Sequence, residues 1–282
     1  MTFLTILLVL FIDRALWDAA PYRQHDWIDR YLTSVNRNAR LNKSPWGIAL
    51  IILPLLLLIG WLQVGAFPAL GGFFEMLFGG AVLLFSLGPS DLGRDVSRYL
   101  NARTASDQDT TRILADQFSP NHSSENSDQM VVHGILIGAC HRLIGPLVWF
   151  ALFGAVGAAA YRLAQIFSSR LPQEDAPSRL AKAAARLAML LDWMPTRITA
   201  AGYAVAGNFD AVAAAWKNCT QEGDLAECAD DGKLLVETGY AALEQAGERP
   251  ASVMIEDALA LVWRNLTLWV VFAGTATLLA SL

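Results

Sequence analysis

Between Ser44 and Ser90 the sequence holds a single charged residue, Glu75, and this interval decides what the chain can fold into. It is too long for one membrane crossing and right for two, because a span needs about 20 apolar residues. A division at Gln63–Pro68 gives helices over 46–64 and 69–88. Helices that are apolar on every face need lipid around them, or a far larger protein, and lipid accepts only backbone whose polar groups are satisfied internally. Composition agrees. Charged residues make up 17% of the chain and apolar ones 54%, whereas an ordinary soluble domain is about 25% charged. A third apolar region covers 143–167, and a C-terminal helix over 259–282 has its apolar run from Leu266 and interfacial anchors at Trp263 and Arg264. Residues 1–17 make a short further span, interrupted by Asp13 and Arg14. The expected class is therefore all-α: a polytopic integral membrane protein with four or five membrane segments plus extramembrane amphipathic helices. The expected setting is a bacterial inner membrane, crossed several times, with the lipid bilayer as the first partner. The apolar N-terminus has no Lys or Arg before it and no small-residue cleavage pattern after it, so no cleaved secretory signal is expected.

Six segments follow from this reading. Residues 1–45 are an apolar helix and a basic stretch, 46–88 a transmembrane hairpin, and 89–142 soluble helices with a polar linker. Residues 143–167 are the third membrane region, 168–258 an extramembrane helical segment, and 259–282 the C-terminal span. Arg14, Arg23, Arg30, Arg37, Arg40 and Lys43 place the first loop in the cytoplasm, and Arg94, Arg98, Arg103 and Arg112 agree after the hairpin. At 143–167 two threadings compete. A simple crossing carries the eight Lys and Arg of 168–257 outward. A re-entrant hairpin turning at Gly154-Ala155-Val156-Gly157 keeps both flanks cytoplasmic and lets Arg264 obey the charge rule, which favours this form.

Outside the lipid, Leu92, Val96 and Leu100 share one helix face, with Asp91 as the N-cap. Ser119 to Ser127 is a polar linker rich in helix breakers. Beyond Pro177, Arg179, Lys182 and Arg186 share one face and Leu180, Ala184, Leu187 and Leu191 the other, the pattern of a helix on a membrane surface or on a protein core. Pro195 is expected to end or kink this helix, with another over Ile198–Trp216.

Single residues add little chemistry. The net charge of −5 has no clustered basic face, so no nucleic acid is expected as partner. Four His and three Cys are too few and too scattered for a metal site, and no cofactor is indicated. His133, Cys140 and His141 read as structural. Glu75 is the one acid within the hairpin, where a carboxylate either marks function or sits shallow at a helix start. Cys219 and Cys228 flank a polar loop and would form a disulfide in an oxidising compartment, which pulls against cytoplasmic placement of 168–257.

A set of ordered motifs carries a resemblance. They are Met1-Thr2-Phe3-Leu4 running to Asp13-Arg14, then Leu87-Gly88-Pro89-Ser90-Asp91-Leu92-Gly93-Arg94-Asp95 with Tyr99-Leu100. Pro146-Leu147-Val148-Trp149-Phe150, Gly154, Gly157, Tyr161-Arg162-Leu163 and Leu191-Asp192-Trp193-Met194-Pro195-Thr196-Arg197 follow. Taken together they resemble the AmpE family of inner-membrane proteins, which shares a superfamily with the cobinamide-phosphate synthases. The resemblance implies a regulatory or sensory protein of β-lactamase induction and the response to β-lactams, without catalysis of its own. The alternative it implies is a membrane-bound amide-forming ligase of the cobinamide-phosphate synthase type. That pattern has Glu-Asn and then Asp before the Pro-Leu-Phe-Trp stretch, where this chain reads Ile137, Gly138 and His141. It also has Asn-Thr-Leu-Asp after Tyr-Arg, where this chain reads Gln165, Ile166, Phe167 and Ser168. The missing carboxylates weigh against catalysis. Tyr161, Arg162, Trp193 and Arg197 then become candidates for binding a small anionic ligand, since Arg pairs bidentately with phosphate and carboxylate. For Arg162 the favoured reading is an interfacial anchor at a helix end. Another envelope protein is the second partner the resemblance allows.

Overall fold

A computed structural model describes residues 2–15, 47–67, 71–87, 92–118, 127–171, 178–221, 231–243 and 251–280. Every element among them is helical. In chain order they are α1 (Thr2–Ala15), α2 (Gly47–Trp61) with a π-turn at Leu62–Ala66, α3 (Gly72–Ser86), α4 (Leu92–Thr104) and α5 (Gln108–Phe118). There follow α6 (Ser127–Ala139) with a π-turn at Cys140–Ile144, α7 (Gly145–Arg170), α8 (Arg179–Ala206), α9 (Phe209–Gln221), α10 (Asp231–Leu243) and α11 (Ala251–Ala280). By length and apolarity three stretches suffice to cross a bilayer: Gly47–Ala66, Asp128–Arg170 and Ser252–Leu279. Phe3–Asp13 and Gly72–Ser86 are shorter apolar helices. The chain is an all-α membrane protein. It divides into two compact units, the first holding Met1–Pro89 and Gly145–Asp192, the second Ser90–Ile144 and Trp193–Leu282.

In the first unit the apolar stretch expected to form a hairpin holds the two helices α2 and α3. Phe67 and Phe78 stack across its turn with ring centroids 4.5 Å apart. Leu50, Leu53, Leu57, Trp61 and Leu77 lie exposed along its two arms, the disposition of side chains that meet lipid, and Phe73 is exposed in the first turn of α3, beside the hairpin turn. The third membrane region does not run straight. Gly154 adopts φ 64 and ψ −146, and the helix breaks there. A β-carbon on Gly145 would lie 2.3 Å from the Tyr161 ring, and one on Gly157 would lie 2.2 Å from the Trp149 carbonyl oxygen. In a straight helix these pairs would be about 24 and 12 Å apart. Both pairs centre on Phe153, so residues 145–153 and 155–170 are antiparallel arms of a tight hairpin. Glycine at 145 and 157 is what lets the arms touch.

The basic, amphipathic start of α8 also appears as read: Leu180 and Ala184 are fully buried, and Lys182 and Arg186 are exposed. Pro195 corrects an expectation. It neither ends nor splits α8, which continues to Ala206. The break comes instead at Gly207–Asn208, where the Asn208 carbonyl and side chain take up the first amides of α9. The C-terminal helix starts at Ala251, earlier than its apolar run suggested.

In the second unit Val131, Ile135 and Leu136 of α6 are buried among Tyr203, Leu235, Ile255 and Leu261. Leu92, Val96 and Tyr99 turn the amphipathic face of α4 inward, while Asp91 lies outside the described residues. Two ion pairs tie α4 to the helix beyond the linker: Arg142–Asp95 at 3.1 Å and Arg103–Asp128 at 2.9 Å. Tyr99 donates to Asp128 at 2.8 Å. Burial and then that neighbouring carboxylate push the Tyr99 phenol far above its ordinary range, so it stays a hydrogen-bond donor at all physiological pH. Asp107 caps α5 through Thr110, whose side-chain and backbone donors hold the carboxyl below its ordinary value.

Gly157→Val puts methyl groups where the Trp149 carbonyl already sits, and overpacking of this kind costs about 1–3 kcal/mol. The expected outcome is a clear fall in the unfolding midpoint in detergent, whereas Gly65→Ala, whose β-carbon meets nothing closer than 3.7 Å, leaves it unchanged or raised.

Candidate functional site

Two of the ordered motifs, at the start of α7 and in its returning arm, meet the first two residues of a third, Leu191 and Asp192 of α8, inside the first unit. The reason begins with Pro195. Proline has no N–H, so the Leu191 carbonyl one helical turn earlier loses its usual partner. The indole N–H of Trp149 supplies one, donating to the Leu191 oxygen at 3.0 Å. One residue on, Asp192 is buried, with 7% exposure. Its Oδ1 accepts from the Tyr161 hydroxyl at 2.6 Å and from Gln165 Nε2 at 2.7 Å, and its Oδ2 accepts from the same Gln165 nitrogen at 2.6 Å. Tyr161 and Gln165 sit one turn apart on the returning arm of α7, so helix geometry aims both at one carboxylate.

This arrangement fixes a carboxylate within a largely apolar unit. Hydrogen bonds of 2.6–2.7 Å to both of its oxygens hold the group at one position and orientation. A carboxylate held in this way can orient a cationic amine or a metal-bound phosphate. Reading by sequence missed it. Asp192 was noted only as part of a motif, and Gln165 only as a departure from one. The available signal was an acid and an amide, each within four residues of an aromatic in an otherwise apolar context.

The residues singled out by sequence fare differently. Tyr161 belongs to the buried cluster and Arg162 beside it is half-buried, both in the first unit. Trp193 and Arg197 belong to the second unit. There the Arg197 guanidinium donates to the Trp193 carbonyl at 2.9 Å and lies over the Trp193 ring, 4.2 Å from its centroid. Those contacts pin Arg197 to its own helix. Glu75 lies in the first turn of α3, half-buried, where the helix dipole favours an acid. Cys219 lies in α9, and Cys228 is outside the described residues. His133 packs edge-on against Tyr240 in the second unit, with ring centroids 5.4 Å apart.

A second feature that the sequence does not announce lies in the C-terminal helix, just before its apolar run. Asn265 is fully buried and donates to the Thr199 carbonyl at 3.2 Å. A β-carbon on Gly202 would fall 1.8 Å from Asn265 Oδ1 and 2.7 Å from Trp269 Nε1. Only glycine at 202 lets that face of α11 dock on α8.

A helical membrane protein with a buried acid–amide–phenol cluster is the class these features define. The particular family comes from comparison. The model of the CobD/CbiB protein family matches residues 6–234, and the chain belongs to that family. Cobalamin biosynthesis protein CobD of Stutzerimonas stutzeri (strain A1501) is 26% identical over 95% of this chain and 95% of its own length. No solved structure gives a significant match. These matches support the superfamily named above and overturn the expectation of a non-catalytic regulator of β-lactamase induction. That expectation leaned on short motifs which, in this structure, are packing devices: Trp149 on Leu191, Tyr161 on Asp192, glycine under both. Such devices serve a shared scaffold and do not report which activity it carries. It also leaned on carboxylates missing from two windows of the sequence, whereas the buried acid of the first unit comes from a third place.

The Trp149–Pro195 relationship can be tested by a double-mutant cycle. Trp149→Phe leaves the Leu191 carbonyl bare while Pro195 is present and is expected to cost about 1–3 kcal/mol. In a Pro195→Ala background the new N–H supplies the missing donor, and the cost of Trp149→Phe should fall by about 1 kcal/mol. Equal costs in both backgrounds, measured by unfolding in detergent, would show the two residues to be independent.

Proposed function

We propose that the chain is a membrane-bound amide-forming ligase of the cobinamide-phosphate synthase type, acting in cobalamin biosynthesis from the inner membrane it crosses several times. The observation that carries this reading is the near end-to-end match to a protein named for that pathway. The match covers 95% of both chains, so the likeness is not confined to one segment. The buried cluster supports it. Gln165 keeps a carboxamide where the synthase pattern has Asn, and it grips Asp192 together with Tyr161. Joining an amine to a carboxylate needs the amine held and its proton managed, and a fixed carboxylate is suited to both. Arg162, beside Tyr161, is the cation we assign to an anionic part of the substrate. Arg197, held by Trp193, serves structure in this reading.

Expression of the chain in a strain lacking its own cobinamide-phosphate synthase is expected to restore growth that depends on cobalamin made by the cell. Asp192→Asn keeps the size of the side chain, loses its charge and should lower that growth at least tenfold at equal membrane abundance. Failure of the wild-type chain to restore growth, with the protein present in the membrane fraction, would reject the synthase reading.

A further inference from the structure

We propose that the first unit enters the bilayer as two helical hairpins from one face, so that the chain leaves α7 on the side from which it entered α2. In this threading the Gln63 carboxamide lets the second hairpin turn within lipid. The inference goes beyond the proposed activity and does not depend on it.

Two sets of contacts fix the relative direction of the hairpins. At one end, Gln63, inside the π-turn that follows α2, reaches the break at Gly154. Its Oε1 accepts from the Val156 amide at 3.1 Å, and its Nε2 donates to the Phe153 carbonyl at 3.4 Å. The Val156 side chain lies 3.6 Å from where a β-carbon on Gly60 would be. At the other end, Ile51 and Ile52 from the start of α2 and Phe85 from the end of α3 cluster with Ile166, Phe167 and Leu171. The two turns therefore lie together and the open ends lie together. A chain that crossed once at 143–167 would not fold back in this way.

The Gln63 contacts also explain how the turn survives without water. Positive φ at Gly154 interrupts the helical ladder and frees an amide and a carbonyl, and lipid offers them no partner. A Gln side chain carries one acceptor oxygen and a donor nitrogen, so it can stand in for a missing peptide group. A β-carbon at 154 would lie 2.5 Å from Gln63 Nε2, so glycine there is required by space as well as by φ.

Charge sets the orientation. Within the described parts of α2, α3, α7 and the first half of α8, the basic residues are Arg162, Arg170, Arg179, Lys182 and Arg186. All lie on the open-end side of the turn, in the returning arm or beyond it. Glu75 is the charged residue near the turns. Clustering of Arg and Lys marks the cytoplasmic side, so both hairpins enter from the cytoplasm.

The test uses the full chain with its three native cysteines replaced, carrying Ser169→Cys or Phe73→Cys, two exposed positions at opposite ends of the hairpins. A membrane-impermeant maleimide is applied to inside-out and to right-side-out vesicles. The expected result is labelling of Ser169→Cys only in inside-out vesicles and of Phe73→Cys only in right-side-out ones. Labelling of both from the same face, as a single crossing requires, would overturn the proposal. Should the cysteine-free chain fail to accumulate, a protease site inserted after Leu171 in the otherwise native chain gives the same reading. Cleavage in inside-out vesicles alone supports the threading, and cleavage in right-side-out vesicles alone sinks it. Gln63→Leu should lower the unfolding midpoint in detergent by several degrees while Val64→Leu, at an exposed neighbour, leaves it in place; an unmoved midpoint for Gln63→Leu removes Gln63 from the account.

Discussion

The first unit depends on the need to satisfy every backbone polar group in a medium that supplies no hydrogen bonds. Two groups of this unit lose their helical partners, at Gly154 through a positive φ and at the Leu191 carbonyl, which the missing N–H of Pro195 further along α8 leaves unmet. Each breach is met by a side chain from another helix. The Gln63 amide bridges the first, and the Trp149 indole closes the second. An unpaired buried peptide group costs about 1–3 kcal/mol even in proteins surrounded by water, and more in hydrocarbon. Gln63 and Trp149 therefore act as extensions of the backbone as well as packing groups. They fix α2 against α7 and α7 against α8 at defined heights, which hydrophobic contact alone, being non-directional, would not do.

That division of labour explains what could be read in the sequence. Apolar runs, the amphipathic faces of α4 and α8, and the glycines near 154 are local signals, and the elements they mark are present. The turn expected at Gly154–Gly157 is a break at Gly154, with Gly157 serving as a contact point for the opposite arm. Pro195 misled because proline usually ends a helix by orphaning a carbonyl and crowding the turn before it. Here the donor that rescues that carbonyl sits 42 residues upstream, at Trp149. Asn265 and Gly202 were silent for the same reason. An Asn inside an apolar helix gains meaning only from the Thr199 carbonyl that it meets.

The functional misreading has a related physical origin. Weighing carboxylates window by window assumes that an active acid stays at one place in the sequence. The position that matters is the one in space. Asp192 reaches its phenol and amide partners from α8, across 31 and 27 residues of chain respectively. A helix bundle can supply an acid to one point from any neighbouring helix, so absence at one position does not empty the site. The departures at Ile137, Gly138 and His141 remain real, and they fall in the second unit, where Asp95 pairs with Arg142 beside His141.

The two units also differ in how they use charge. In the second, ion pairs and a phenol with a strongly raised pKa tie α4 to α6 and to the π-turn that follows it. Paired, half-exposed groups of this kind tolerate water and gain modestly from it being partly excluded. In the first unit, within the described parts of α2, α3, α7 and the first half of α8, the acids are Glu75 and Asp192, and Asp192 accepts from a phenol and a carboxamide. A buried carboxyl group is tolerated in an apolar setting only where it is hydrogen-bonded, and here both oxygens of Asp192 accept such bonds. Those bonds are directional where apolar contact is not, so they set the height at which the returning arm of α7 meets α8, and the proposed activity uses the point that they fix.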